Sequence, residues 1–462
     1  MKLVYALYNL LWGDLVTIPL PGGSSIGLSL LVLILIPAGI YFTIRTKFLL
    51  IRFFPEMLRL AVERDDGKKK DAHALSGFQA LIMSTATRVG MGNMVGVVAA
   101  ISAGGAGAVF WMWITAIIGS STSYVESTLS QMYKQKDPIY GGYRGGPAYY
   151  IQDFFGKVGG RKHIIAILFA LSALLCWSGV SQVIGNSVAS SFEGAFNIPP
   201  IWTTVFLVAV AAVIVLRKSA TVKVLDIMVP VMAVSYFLVT VFIILKNIPL
   251  LPGVFVQIFE EAFGLRQMVA GGFGAALMNG VKRGLFSNEA GCGSSASAAA
   301  CAQVSHPAKA GLVQAFGVFV DTIVLCSCTA MIMLLAPADK IAGLEGMALI
   351  QAAMQHHFGD IGVIFIAVTL WLFSFSTFVG VLYYARGNVA FLFGDGKLPQ
   401  LLFKLLALAM LFVGGLAAYT FVWDLSDIGI ALMTVFNMIA IIPMSGRTIK
   451  ALEEYNRIRK QK

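Results

Sequence analysis

Two glycines near residue 90 interrupt a long apolar run that otherwise has the composition of a helix. Gly90 and Gly92 flank Met91, and Asn93 follows directly. Glycine lets a helix unwind, and unwinding in apolar surroundings exposes backbone groups that need partners. Free N–H groups attract a carboxylate and free carbonyl groups attract a cation. Close helix packing also favours glycine, but the adjacent amide favours a binding site.

A second glycine-rich run, residues 271–293, is too long for one straight span and is also predicted to be broken. An aromatic ring, a hydroxyl, an amide and a carboxylate follow one another there: Phe286, Ser287, Asn288 and Glu289. An ionised side chain inside a membrane needs a partner. We therefore expect Glu289 to pair with Arg283 or Lys282 rather than to relay protons.

Hydroxyl side chains cluster farther along the chain, in the string LFSFSTFVG. A hydroxyl on a buried helix often bonds only the carbonyl of the preceding turn. Together with carbonyls freed at the first break, however, Ser374, Ser376 and Thr377 supply the oxygen ligands that a hard cation prefers. This pattern indicates a cation site between the two segments.

The elements that position these groups are predicted to cross a membrane. The 462-residue chain is 58% hydrophobic and 12% charged, well below the roughly 25% charge of a soluble domain. A span needs about 20 apolar residues, and eleven segments qualify: 26–44, 75–102, 107–132, 164–190, 199–216, 224–245, 268–302, 308–335, 361–393, 401–419 and 425–444. The N-terminal residues resemble a surface helix rather than a cleaved signal peptide.

Lysine and arginine predict the orientation of these segments, because cytoplasmic loops hold the excess of positive charge. With the N-terminus outside and the C-terminus cytoplasmic, nearly all basic loop residues fall inside, and only Lys2, Lys246, Arg266 and Lys340 fall outside. The net charge of +11 therefore reflects orientation. No module for binding nucleic acid is visible.

A short pattern recurs within the chain. Arg88, Asn93 and Gly96 have the same spacing as Arg283, Asn288 and Gly291. Helices two to six then match helices seven to eleven, and two consecutive units of five helices must insert in opposite senses. The predicted division is 1–74 (surface helix, first span and basic loop), 75–247 and 266–445 (the two repeats), and 446–462 (a basic cytoplasmic tail).

The remaining intramembrane acids are Glu126, Asp321, Asp424 and Asp427. They are either residues of an ion path or structural partners of Arg88 and Lys282, and we expect the structural role for each.

Three long motifs resemble the alanine or glycine:cation symporter family: GGAGAVFWMWITAIIG (104–119), GGPAYYI (145–151) and RGLFSNEAGCGS (283–294). The resemblance runs from about Leu75 to Met444. It implies an all-α polytopic membrane protein with a LeuT-like fold, a 5+5 inverted repeat preceded by one extra helix. VGMGN (89–93) also resembles the broken first core helix of the sodium-coupled LeuT-type proteins.

The resemblance implies two sets of site residues. N–H groups of Met91 and Gly92 would hold the substrate carboxylate, while Asn93 and Asn288 would face the substrate or a second ion. The expected substrate residues are Gly90, Met91, Gly92, Asn93, Gln182, Ile184, Phe286, Asn288, Thr377 and Val381. The expected sodium ligands are Ala86 and Val89, through their carbonyls, with Ser376 and Thr377.

The chain departs from the family pattern at three pocket positions. Met91 replaces a small hydroxyl residue, Val381 replaces a tryptophan, and Ile184 replaces a glutamine, with Gln182 half a turn earlier. These changes alter the shape and polarity of the cavity. A larger neutral amino acid such as glutamine is therefore an alternative to alanine or glycine.

We expect a secondary active transporter in the cytoplasmic membrane of a prokaryote, which couples a small neutral amino acid to Na⁺, or alternatively to H⁺, by alternating access. A channel would need a continuous pore, and a receptor would bind without flux. HExxH and the phosphate-binding GxxxxGK[ST] are missing from the sequence, so no enzyme is indicated. The expected partners are the amino acid and the lipid bilayer, and the oligomeric state is left open.

Overall fold

Helices dominate the chain, as apolar surroundings require, because a helix satisfies its backbone groups internally. The computed structural model describes residues 2–19, 25–63, 75–139, 141–216, 221–265 and 272–461. The helices of the first half are α1 (Lys2–Trp12), α2 (Leu30–Arg45), α3 (Leu49–Arg52), α4 (Phe54–Val62), α5 (Gly77–Arg88), α6 (Val97–Gly104), α7 (Gly107–Met132), α8 (Pro147–Phe155), α9 (Ile164–Phe196), α10 (Pro200–Leu216), α11 (Thr221–Lys246) and α12 (Leu251–Ala262).

The second half of the chain is also mainly helical. Its helices are α13 (Gly272–Asn288), α14 (Ser294–Cys301), α15 (Pro307–Val318), α16 (Ser327–Leu334), α17 (Ala338–Ile341), α18 (Met347–Phe358), α19 (Asp360–Phe393), α20 (Lys397–Leu416) and α21 (Tyr419–Gln461). Two π-helical turns, Gly92–Gly96 and Phe319–Cys326, and one 3₁₀ turn, Ile248–Leu250, interrupt the α-helices.

Two antiparallel hairpins complete the described elements. β1 (Val16–Pro19) pairs with β2 (Ser25–Leu28), and β3 (Gln135–Lys136) pairs with β4 (Tyr143–Arg144). The first hairpin joins α1 to α2, and β2 packs against α13. The N-terminal residues are thereby tied to the helix bundle.

Most of the predicted spans correspond to helices that could cross a bilayer. Seven described helices are long and apolar enough, and α5 with α6 forms an eighth span that is bent by 44°. α2 and α10 are shorter apolar helices, and α13 with α14 covers the remaining predicted segment. Large apolar side chains face outward on the lipid side, such as Trp202, which is 66% exposed, and Ile227, which is 71% exposed.

Several predicted boundaries are wrong. Residues 25–28 are a strand, and the first span begins only at Leu30, where the Ser29 hydroxyl accepts a hydrogen bond from the Val32 N–H at 3.3 Å. Such a cap satisfies one of the free N–H groups at a helix start. The helix of the last span continues beyond the predicted span end at Met444, because α21 runs as one helix through the tail to Gln461. The predicted start at Met268 lies outside the described residues.

The long helix α9 lies at the centre of the bundle, packed against α19, α20 and α21. Its crossing with α21 is close: a Cβ atom on Gly179 would collide with the backbone of Ser426, and one on Gly429 would collide with Cys176. Small residues at such crossings let helix backbones approach each other in membranes. The close crossing fixes Cys176 and its neighbours on α9 beside the broken helices.

Candidate functional site

The first predicted break is present at the end of α5. In a continuous helix the Gly90 N–H would donate to the Ala86 carbonyl. Instead it donates to the Arg88 carbonyl at 2.8 Å and to Asn93 Oδ1 at 3.0 Å. The Asn93 N–H likewise donates to the Gly90 carbonyl, at 3.3 Å, rather than to the Val89 carbonyl. The carbonyls of Ala86 and Val89 have thus lost the donors of a regular helix.

The second predicted break follows α13. Asn288 ends that helix, Glu289 has a φ of 56°, and Gly291 and Gly293 have φ values of 98° and 81°. Left-handed backbone is costly for a residue with a side chain and free for glycine. The glycines therefore allow the reversal, and α14 begins at Ser294. The two breaks fall at the positions that the repeated sequence pattern predicts.

The two breaks meet at a small cavity of about 30 Å³, which is room for about two water molecules. The predicted residues that line it are Met91, Gly92, Phe286, Thr377 and Val381. Sequence reasoning did not predict the other lining residues: Thr87, Cys176, Trp177, Val180, Glu289, Cys292, Ser294, Ile430 and Met433. The cavity thus has an apolar wall and a polar wall.

The cation ligands predicted on α19 lie against the first break. Thr377 Oγ1 accepts a hydrogen bond from the Met91 N–H at 3.3 Å and donates to the Phe373 carbonyl at 2.9 Å. Ser376 Oγ also donates to the Phe373 carbonyl, at 2.8 Å. Because both hydroxyls use their protons within α19, their oxygen lone pairs are available to a cation.

Asn93 lies beside the cavity rather than on its wall, and it binds a buried carboxylate. Its Nδ2 donates to Asp321 Oδ1 at 2.6 Å. Asp321 Oδ2 accepts from the hydroxyls of Ser287 and Thr322, each at 2.7 Å. Asp321 belongs to the π-helical turn Phe319–Cys326, a feature frequent at functional sites. Sequence reasoning named Asp321 but did not place it with Asn93.

Three other predicted substrate residues are not among those that line the cavity. Gln182 Nε2 contacts the sulfur of Met410 at 3.2 Å, and Ile184 is fully buried in the apolar core. Asn288 lines a separate small cavity with Thr115 and Thr122. Gly90 lies at the break, where a Cβ atom would collide with Thr377 Oγ1. Gln182, Ile184 and Asn288 are thus not among the residues that line the cavity at the two breaks in this conformation, and their contact with substrate stays a prediction.

The expected ion pair of Glu289 is also wrong. Lys282 and Arg283 both bind Asp427 instead, with Lys282 Nζ 2.6 Å and Arg283 Nη1 3.0 Å from its carboxylate oxygens. Glu289 accepts a hydrogen bond from the Ser294 hydroxyl at 2.7 Å and faces the cavity. Because α13 ends at Asn288, Glu289 does not continue the helical face that carries Lys282 and Arg283. The structural role expected of Asp427 is confirmed.

Arg88 has neutral partners. It is 1% exposed, and its guanidinium donates to the backbone and side-chain oxygens of Gln314, each at 3.1 Å, and to the Ser123 hydroxyl at 3.1 Å. No carboxylate of the described residues lies within ion-pair distance of it. Glu126 instead accepts from Asn437 Nδ2 at 2.9 Å. The carboxylate partner expected for Arg88 is therefore wrong.

A helical bundle with two broken helices around a small cavity is typical of a secondary transporter. The fold agrees: 83% of this chain matches 81% of a mutant of the manganese transporter of Eremococcus coleocola, at 12% identity and a TM-score of 0.53. The protein is a multi-pass membrane transporter of the LeuT-like fold. Residues 22–462 match the model of the sodium:alanine symporter family, and the chain belongs to that family.

Curated relatives agree with this assignment. The chain is 44% identical over 433 residues to the probable sodium/glutamine symporter GlnT of Bacillus subtilis, covering 93% of this chain and 88% of the relative. It is 41% identical over 429 residues to the amino-acid carrier protein AlsT of the same organism, covering 93% and 90%. The family comprises transporters rather than enzymes, as the sequence predicted.

Proposed function

We propose that the protein carries a neutral amino acid into the cell together with sodium, by alternating access. The observation that carries this proposal is the meeting of the two helix breaks at Thr377, where redirected N–H groups lie next to carbonyls without helical donors. A zwitterion and a cation satisfy both kinds of backbone group at once.

The amino acid is expected between the two walls of the cavity. Its carboxylate would accept hydrogen bonds from the N–H groups of Met91 and Gly92, and its ammonium would face the Glu289 carboxylate. The side chain would lie against Val180 and Val381. A cavity with room for about two water molecules holds fewer heavy atoms than any amino acid contains, so the helices must move apart for binding. This movement is the rocking that alternating access requires.

Sodium is expected to bind the carbonyl oxygens of Ala86 and Val89 and the hydroxyl oxygens of Ser376 and Thr377. These four neutral oxygens suit a hard monovalent cation. Asp321 is the site at which a proton could replace a second sodium ion, because its carboxyl group is fully buried beside the first break and burial favours the protonated form. Sodium is the preferred coupling ion, since the first relative above is named a sodium symporter.

Glutamine is a second candidate substrate, alongside alanine and glycine. Thr87, Glu289 and Ser294 give the cavity a polar wall that can bond a side-chain amide. Met91 and Val381 occupy positions where the family resemblance leads us to expect other side chains, and the relative with 44% identity is named for glutamine.

We further propose the topology and the moving parts. The N-terminus is outside and the C-terminus is cytoplasmic, in the cytoplasmic membrane of a prokaryote, because the basic loops then lie inside. Residues 75–247 and 266–445 form the two inverted repeats, preceded by 1–74 and followed by the tail 446–462. Alternating access arises when the broken helices of the repeats rock against their neighbours.

A thermal-shift screen of the purified protein tests the substrate and the ion together. A ligand that binds the native state raises the unfolding temperature without any label. We expect one neutral amino acid to stabilise the protein only when sodium is present, and we expect Thr377→Val to abolish this effect. Thr369→Val, on the same helix and also buried, is the matched control.

Two results would count against the proposal. Equal stabilisation with and without sodium in the wild-type protein would remove sodium from the coupling. A full sodium response in Thr377→Val would move the cation site away from the first break.

A further inference from the structure

The amphipathic helix α1 contacts a cluster of ion pairs near the cavity. Lys282, Arg283 and Asp427 form this cluster, in which α13 supplies the two cations and α21 supplies the carboxylate. All three side chains are at least nine-tenths buried. The cluster therefore ties together two helices that line the cavity, and these helices must separate if the cavity opens on this side.

Two aromatic side chains of α1 bind the two sides of that cluster. The Trp12 indole Nε1 donates to the backbone carbonyl of Asp427 at 3.0 Å, on α21. The Tyr8 hydroxyl accepts a hydrogen bond from Lys282 Nζ, on α13. Lys282 Nζ also lies 4.6 Å from the centre of the Tyr8 ring and 5.4 Å from that of Trp12. α1 thus contacts both helices at the point where the ion pair joins them.

The cluster also continues toward the cavity. The guanidinium of Arg283 lies 3.8 Å from the ring centre of Trp423, and the Trp423 ring meets that of Phe286 edge-on with centres 4.9 Å apart. Phe286 lines the cavity. Arg283, Trp423 and Phe286 therefore form a continuous series of contacts from the cluster to the cavity wall.

We propose that Tyr8 and Trp12 are positioning residues for transport, which hold the Lys282–Asp427 contact and so keep the cavity closed on the side of α1. We call this pair of contacts the α1 latch. The inference rests on the proposed transport function. Opening of the cavity on this side then requires α1 to release either α13 or α21.

The latch makes a specific kinetic prediction. If a transporter binds external substrate only in its open conformation, its apparent dissociation constant is the intrinsic constant divided by the fraction of molecules that are open. Loss of a hydrogen bond to a charged group raises that fraction by about tenfold or more. In Tyr8→Phe, KM for external substrate should therefore fall by about tenfold or more while kcat falls as well, because the closing step loses its partner. A merely structural defect would lower kcat and leave KM unchanged.

Native cysteines report the opening directly. Cys176 and Cys292 line the cavity and are buried, so a membrane-impermeant thiol reagent reaches them only when the cavity opens. We expect Tyr8→Phe, which loses a bond from the charged Lys282, to increase their labelling rate from the outside by about tenfold or more. Trp12→Phe, which loses a bond to a neutral carbonyl, should increase it by about two- to tenfold, and the double variant should increase it further. Tyr5→Phe is the matched control, because Tyr5 lies on the same helix and is 58% exposed.

The labelling needs no substrate, so it separates this inference from the proposed function. Faster labelling in protein that transports no amino acid would support the latch and refute the symport. Labelling and KM that match the wild type in the folded double variant would overturn the latch, and so would equal acceleration in Tyr5→Phe. Loss of the acceleration after Cys176→Ala and Cys292→Ala replacement would confirm that the label enters the cavity.

Discussion

Replacement of Asp427 by asparagine removes the only carboxylate, among the described residues, within ion-pair distance of Lys282 and Arg283. Lys282 Nζ lies 2.6 Å and Arg283 Nη1 lies 3.0 Å from the carboxylate oxygens, and Asp427 is 1% exposed. The substitution keeps the size of the side chain but leaves two buried positive charges without a counter-charge. Loss of one partner of a buried ion pair costs about 3–5 kcal/mol.

We expect Asp427→Asn to lower the free energy of unfolding by about 3–5 kcal/mol, seen as a lower midpoint of thermal unfolding in detergent. Asp424→Asn is the matched control, because Asp424 lies one turn earlier on α21, is partly exposed and makes no ion pair among the described residues. Combining Asp427→Asn with Lys282→Met and Arg283→Met should restore most of the stability, since a buried ion pair can be replaced by apolar groups of similar volume. Equal midpoints for the two asparagine variants would refute this account of the cluster.

Two further predictions concern the cation site and the C-terminal helix. Gly90→Ala should abolish sodium-dependent stabilisation, because its Cβ would collide with Thr377 Oγ1, whereas Gly253→Ala, which meets no atom within 4 Å, should behave as the wild type. Burial raises the pKa of Glu56, but hydrogen bonds from Tyr455 and Arg59 outweigh it, so the pKa lies below its ordinary value. The contact of Tyr455 with Glu56 therefore stabilises the end of α21 at neutral pH and is lost in acid, when Glu56 becomes protonated. Hydrogen exchange of residues 450–461 should accelerate in acid. In Tyr455→Phe the same acceleration should appear already at neutral pH.

The fold could be predicted because the membrane restricts the backbone to helices, so apolar length alone locates most spans. The breaks could also be predicted, since Gly90, Gly92, Gly291 and Gly293 mark places where the helix can unwind. Helix ends were harder. The strand at residues 25–28 carries Ile26 and Leu28 directly before an apolar helix, so composition does not separate the two. The end of α21 contacts α4 through the bond of Tyr455 to Glu56, a tertiary contact that the sequence does not reveal.

The site could be predicted only in part. Sequence patterns identified Met91, which lies between the two glycines of the first break, and Thr377, which lies in the hydroxyl-rich segment of α19. Trp177, Cys292 and Met433 were missed, since they come from helices whose rotation toward the cavity is set by packing. Glu289 was placed with the wrong partner because its left-handed backbone turns the side chain away from the face that carries Arg283.

The central claim is that an amino acid and sodium move together through the cavity between the two breaks. The most direct test is uptake of a labelled neutral amino acid, with glutamine and alanine first, into proteoliposomes that contain only this protein. An imposed inward sodium gradient should drive accumulation above equilibrium, and collapse of the gradient or the Thr377→Val substitution should abolish it. Absence of uptake of every amino acid under both sodium and proton gradients would contradict the account.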